Sequence, residues 1–317
     1  MHQTFDTTPI AKQLTVATML RELKYSGAAF KIGFVTLLLV TFVPLIVFVL
    51  VASQVVTDIG AMIFIVMLSA GGLYGLSDLY RELNEIATAR QFAVENGMQF
   101  YRDLSQTGYS GTPFRVRVYV PYTMRSPGER FIEFGQLRPD WQSRRSNGSR
   151  TQTFLRFKLP VSLPHMVLRS RRSETNVLDG VGDSVKLKLE GQFGDMFDLY
   201  VPKGYERDAL YVFTPDVMAR FIDATPNFDC EIIGDELYFY SSQKIMFLYP
   251  QNLTKLIAIF NHVIHKLARQ SSKYRDDRIE VTRQSAQMRL RSSPVATAVL
   301  AVFGLFVIAA IVLHFVN

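Results

Sequence analysis

Apolar residues gather at the two ends of this chain. Residues 32–57 carry no charged side chain, residues 59–77 carry none, and only Asp58 stands between the two runs. A third uncharged run covers 292–317. About 20 apolar residues at a rise of ~1.5 Å each cross a hydrocarbon core, so the pattern predicts a transmembrane hairpin over 32–77, with helices at 32–56 and 59–77, and a C-terminal transmembrane helix over 295–316. A cleaved signal peptide is the alternative for the first run, but a long leading segment and an immediate second run speak against it. Pro44 kinks the first helix in this reading.

The intervening segment, 78–291, changes period repeatedly. Leu79, Leu83, Ile86 and Phe92 continue a helical stripe as far as Gly97, which makes the second run the start of a rigid stalk. Alternation then predicts strands at 114–120, 131–134, 155–159, 165–169, 185–189, 193–201 and 209–213, with one more at 244–249. Phe228–Ile233 and Glu236–Tyr240, joined by Gly234-Asp235, read as a hairpin. Thr214-Pro215-Asp216 has the cap, first-turn proline and acidic neighbour of a helix start, predicting a helix to Ile222. Leu253, Leu256, Ile257, Phe260, Ile264 and Leu267 recur at helical spacing and predict an amphipathic helix packed on the sheet. The fold class expected is therefore membrane-anchored α+β: a mostly antiparallel sheet with packed helices, held by helical stalks. Residues 1–31 form a leading segment in which Ile10, Leu14, Ala17 and Leu20 share one helical face; such a helix lies on a membrane surface or packs on the domain.

Charge adds an orientation. The chain has 35 Lys and Arg against 28 Asp and Glu, a net +7. The basic residues lie either before the first run, at Lys12, Arg21, Lys24 and Lys31, or between 78 and 293. The positive-inside rule then places the N-terminus and the large domain in the cytoplasm. A single cysteine, Cys230, leaves no internal disulfide and suits a reducing compartment.

Candidate chemistry is sparse. Gly191-Gln-Phe-Gly194 and Gly180-Val-Gly182 lack the companions and context of a phosphate loop, and no cofactor is implied. His262 and His265 are spaced to share a metal only if other elements supplied ligands; packed or solvated histidines are the plainer account. Cys230 sits in an apolar strand as a structural thiol. Glu190, Asp195 and Asp198, followed by Glu206 and Asp208, form a carboxylate cluster that could divide acid and base roles, or that decorates turns for solubility. Arg144, Arg145, Arg150, Arg169, Arg171 and Arg172 form a basic segment free of acids, suited to an anionic surface such as lipid headgroups. The same charge could meet nucleic acid, but no reading module accompanies it.

Several short motifs add a resemblance: Phe92-Ala with Asn96-Gly, Leu163-Pro-His165, Leu189-Glu-Gly-Gln-Phe193, Phe197-Asp-Leu-Tyr200-Val-Pro202, Gly204-Tyr-Glu-Arg-Asp208, Thr214-Pro-Asp216-Val-Met218 and Tyr274-Arg-Asp-Asp-Arg278. Together they resemble a family of three-span membrane proteins from candidate-phyla bacteria, itself distantly similar to domain of unknown function 3137. The resemblance implies a shared architecture, with the spans in a bacterial inner membrane, and carries over no catalytic or binding residue. The function expected from these readings is that of a membrane-tethered interaction or regulatory module with a protein partner. The alternatives are an enzyme using the carboxylate cluster, or an anionic-lipid-binding domain. The oligomeric state is left open.

Overall fold

The structure is a computed structural model, and it describes residues 5–6, 15–24, 33–39, 41–43, 46, 59–104, 108–115, 118–128, 131–139, 151–173, 178, 184–241, 243–247 and 249–276. The chain opens with helices α1 (Val16–Lys24) and α2 (Ile59–Glu95), then strands β1 (Gln99–Leu104), β2 (Val118–Arg125), β3 (Ile132–Pro139), β4 (Gln152–Ser170) and β5 (Ser184–Leu187). There follow α3 (Gly191–Met196), β6 (Phe197–Pro202), α4 (Glu206–Val212), α5 (Pro215–Ala224), β7 (Phe228–Ser241), α6 (Pro250–Ile259), a π-helical turn (Phe260–Ile264) and α7 (His265–Ser271). These elements divide into two compact units. The first is Met1–Gly108, Arg117–Lys158 and Gln243–His265; the second is Tyr109–Val116, Leu159–Ser242 and Lys266–Asn317.

In the first unit β1, β2, β3 and the first half of β4 form an antiparallel meander, with Phe100 opposite Met124, Met124 opposite Phe134, and Phe134 opposite Leu155. Gly135 makes this possible. A Cβ there would lie 2.5 Å from the Phe154 ring, so only glycine lets that ring lie across its neighbour. Helix α2 stops where Gly97 turns left-handed (φ 65°). The Gly97 N–H reaches the Val94 carbonyl and the Met98 N–H reaches that of Ala93, which satisfies the last orphan carbonyls of the helix. Ile86, Phe92 and Ala93 of α2, Tyr122 and Met124 of β2, and Leu253, Leu256 and Ile259 of α6 are buried as its core. Helix α1 is held through Glu22, whose carboxylate meets Arg90 Nε at 2.8 Å and Arg102 at 3.4 Å. Ala17, expected on its apolar face, is exposed.

In the second unit the last residues of β4 pair antiparallel with β6, Val167 opposite Tyr200 and Ser170 opposite Phe197. Strand β6 in turn pairs with β5, Val185 opposite Val201 and Leu187 opposite Leu199. Strand β7 pairs with β4. Phe193, Phe197, Phe213, Phe221 and Phe239 make a continuous aromatic core, with ring centroids 4.9 to 6.4 Å apart.

Several expectations are corrected. Among the described residues no helix is long and apolar enough to cross a membrane. The run at 59–77 is the first half of the single 37-residue helix α2, which continues without a break into a charged half from Asp78 to Glu95. Of the run at 32–56, residues 33–39, 41–43 and 46 are described and are helical, and the rest lies outside the described residues. The span expected at 295–316 lies outside the described residues. The membrane-anchored architecture and the inner-membrane location drawn from it are corrected on this finding.

Within the domain, the strand expected at 209–213 is helix α4, because Glu206 and Asp208 occupy a first turn that favours carboxylates. The strand expected at 193–201 begins as helix α3 and becomes β6 only at Phe197. Strands expected at 155–159 and 165–169 are one 19-residue strand, β4. Its Pro160 and Pro164 fall between the register with β3 and the register with β6, where a missing N–H removes no bond from either ladder. The expected hairpin at 228–240 is one 14-residue strand, β7; Gly234, with φ at 61°, bends the chain without reversing it. The strand expected at 114–120 is a 3-10 turn over Thr112–Arg115 before β2 begins at Val118.

Candidate functional site

Strand β5 pairs with β6 and, among the described residues, with no other strand. Beside it a groove of about 640 Å³ is lined by Arg171, Lys186, Leu187, Lys188, Leu189, Glu190, Gly191, Gly194, Asp195, Phe197 and Asp198. Local sequence builds it. Gly191 takes a left-handed φ of 66°, which turns the chain out of the β5 extension into α3. A Cβ on Gly194 would fall 2.0 Å from the Leu189 carbonyl oxygen, so the first turn of α3 closes against the preceding chain only with glycine there. That closure brings Glu190, Asp195 and Asp198 to one wall.

The charges of the groove are of two kinds. Asp198 is engaged: Arg171 Nη2 lies 2.8 Å from its Oδ1 and Lys186 Nζ 2.8 Å from its Oδ2. Partial burial pushes its carboxyl up, but the hydrogen bonds from Lys186 and Arg171 outweigh that effect and hold it below the ordinary carboxylate range. Lys188, Glu190 and Asp195 are exposed, and no hydrogen bond or ion pair engages their side chains among the described residues. Glu190 flanks the start of α3, yet its side chain caps no amide there. The acid–base cluster is therefore one paired and two solvated carboxylates.

The other predicted residues scatter. Arg169 is half-buried in β4 opposite Asp198, Arg171 is in the groove, and Arg172 is exposed in the turn after β4. Arg144, Arg145 and Arg150 lie outside the described residues. Asp208 accepts from the Tyr274 hydroxyl at 2.9 Å and Glu206 from the Gly204 N–H at 3.2 Å, so both serve local structure. His262 is exposed, and the His265 ring lies tilted against Phe260 with centroids 5.3 Å apart. Among the described residues no group of three or more side chains could hold a metal ion. Cys230 is buried, and burial, aided by the charges of Glu231 and Asp229, pushes its thiol well up, the opposite of what a nucleophile needs.

Sequence reasoning missed a buried polar centre in the second unit. Glu231, within β7, is fully buried and receives four donors: the His165 ring at 2.7 Å, the Thr112 N–H at 2.8 Å, the Thr112 hydroxyl at 2.5 Å and the Tyr240 hydroxyl at 3.0 Å. Burial alone would raise its carboxyl, but the His165 hydrogen bond and ion pair, then the Thr112 donors, hold it below its ordinary value. The loop at 110–112 is shaped to this centre, since a Cβ on Gly111 would meet the Tyr240 hydroxyl at 2.3 Å. The first unit has two such centres. Glu133 sits between Arg125 and Arg156, and Glu85 meets Lys244, Tyr122 and Gln136. Acidic residues inside otherwise apolar strands, as in Phe228-Asp-Cys-Glu-Ile232, were the signal available.

No protein-family model matches the chain, and no curated protein matches it. Among solved structures it is similar to the crystal structure of the mycobacterial trehalose monomycolate transport factor A, with a TM-score of 0.42 and 9% identity, over 59% of this chain and 94% of that one. A likeness that loose carries neither a fold assignment nor a role.

Proposed function

We propose that the chain is an interaction module that receives a segment of a protein partner in the groove beside β5 and performs no chemistry on it. The observation that carries this reading is the division of charge. The buried carboxylates Glu22, Glu85, Glu133 and Glu231 are each engaged by internal cations or donors, whereas Lys188, Glu190 and Asp195 stand in an open groove with no such engagement. An edge strand offers backbone N–H and C=O groups to an added strand, and pockets on its flank select side chains. Leu187, Leu189 and Phe197 supply the apolar contact, Lys188 selects an acidic residue of the partner, and Glu190 with Asp195 select a basic one.

A photo-crosslinking residue placed at Lys188 or Asp195 tests this in the living cell, with the exposed Arg220 of α5 as the control position. The expected result is a discrete protein adduct from 188 and 195 and none from 220. The same adducts from all three positions, or none from any, would sink the proposal.

A further inference from the structure

The first half of α2 carries an apolar stripe that the unit leaves open. Ile63, Val66, Met67, Leu73, Tyr74 and Tyr80 fall along one side at ~100° per residue, and each is between 51% and 77% exposed. The other side of the same helix is taken. Gly72, nine residues on from Ile63 and so half a turn away at ~100° per residue, is buried against Thr41, whose hydroxyl oxygen would lie 2.1 Å from a Cβ at that position. Gly75 is likewise closed by Leu37. Leu37 and Thr41 thus cover the face away from the stripe.

We infer that this stripe is a self-association surface that takes the same stripe of a second copy of the chain, the two α2 helices running parallel about a two-fold axis. Three observations favour a second copy over a different partner. The stripe carries no charge from Ile63 to Ser77, so nothing along it selects a charged surface. At its end stand one acid and one base, Asp78 and Arg81, both exposed and without a side-chain partner among the described residues. In a two-fold pairing, residue i of one copy meets residue j of the other and the reverse, so parallel copies bring each Asp78 to the other's Arg81. The face is also large enough. Six side chains of this size, half to three-quarters exposed, offer an area on the order of the ~800 Å² per partner found in a standard specific interface, whereas a single soluble chain seldom leaves so large an apolar patch uncovered. Val66, Leu73 and Tyr80, like Met67 and Tyr74, recur seven residues apart, the repeat by which parallel helices interlock side chains.

This inference stands apart from the groove and is tested on the full chain. The polypeptide mass in solution is expected at twice the 36.1 kDa of one chain, falling to one chain for Met67→Glu with Tyr74→Lys. Because that pair of changes could also disturb folding, Ala70→Cys gives an independent reading. Mild oxidation is expected to link two copies through position 70, and not through a cysteine at Lys188, with the buried Cys230 silent in both. Asp78→Arg is expected to weaken the association about tenfold, and Asp78→Arg with Arg81→Asp to restore it. A wild-type mass of one chain across the accessible concentration range, or a dimer that neither links through position 70 nor responds to the charge swap, would overturn the inference.

Discussion

Glu133 and Asp198 each sit between two cations, yet one is sealed within the strands of the first unit and the other lines an open groove in the second. Glu133 meets Arg125 at 3.1 Å and Arg156 at 3.2 Å with its side chain fully buried; Asp198 meets Arg171 and Lys186 at 2.8 Å with both cations half exposed. Distances alone would rank the groove pair the tighter of the two. Burial reverses the ranking: a sealed charge that loses its partner has no water to replace it, while an exposed one is resolvated and screened. The same arrangement is therefore a structural anchor in one place and an adjustable recognition surface in the other.

The largest expected effect comes from breaking the sealed arrangement. Glu133→Ala takes from the buried Arg156 the carboxylate it meets at 3.2 Å, and removing one partner of a buried pair costs about 3–5 kcal/mol. It is checked by the denaturant midpoint and by lost hydrogen-exchange protection in β3 and the first half of β4. An effect below that of a surface pair would show that water reaches Arg156 and would dissolve the contrast with Asp198.

Glu231 sharpens the contrast because it relies on a histidine and hydroxyls instead of arginines. Glu231→Gln keeps the shape but turns an amide toward donors, at about 2–3 kcal/mol for a buried charged acceptor. Its pH dependence has a definite sign. The folded carboxyl is held below its ordinary value of 4.5, so the stabilisation it contributes is present above that value and is lost as pH falls through the folded pKa. Stability curves of wild type and Glu231→Gln are therefore expected to differ at neutral pH and to converge in acid. Parallel curves down to pH 3 would remove Glu231 from the acid response.

Gly194→Ala acts on the groove through the backbone. Its Cβ would fall 2.0 Å from the Leu189 carbonyl oxygen, and the clash is with main chain, which yields only by moving the turn. About 1–2 kcal/mol of strain is expected, together with loss of the groove adducts from Lys188 and Asp195. Retention of those adducts would separate the groove from the binding it is proposed to perform.

How much of this was legible in the sequence depends on whether a feature is local. The cap at Thr214-Pro215 lies within one element and α5 forms where it predicts, while the stripe Leu253, Leu256, Phe260 and Ile264 is helical as predicted but runs from α6 into the π-helical turn that follows it. Short apolar runs such as Ala209–Phe213 fit a helix or a strand equally, and only the acidic first turn at Glu206 and Asp208 decides for a helix. The groove carboxylates were visible as a cluster because Glu190, Asp195 and Asp198 lie on or next to the short helix α3 and so stay close in space as in sequence. Their cations were only half visible, since Arg171 reaches Asp198 through the β4–β6 register, 27 residues away. Of the Glu231 centre the sequence shows only an acid inside an apolar strand, and none of its partners. Its histidine lies 66 residues away and its threonine 119, and no local period reports a contact made by sheet pairing.

The smallest expected effect tests the exposed half of the comparison most directly. Asp198→Asn removes the acid while keeping the side chain's size, and an exposed pair of this kind is worth about 0.5–1 kcal/mol, diminishing with salt. Global stability should therefore barely move. The groove, however, would gain two released cations, Arg171 and Lys186, beside Lys188, and a partner segment chosen for an acidic residue should be held more firmly at low salt and lose that advantage as salt is raised. Crosslinking from position 188, compared between wild type and Asp198→Asn across a salt series, reads this out. If the substitution instead destabilised the chain as Glu133→Ala is expected to, with no change at the groove, Asp198 would belong with the sealed acids and its cations would not be available to a partner.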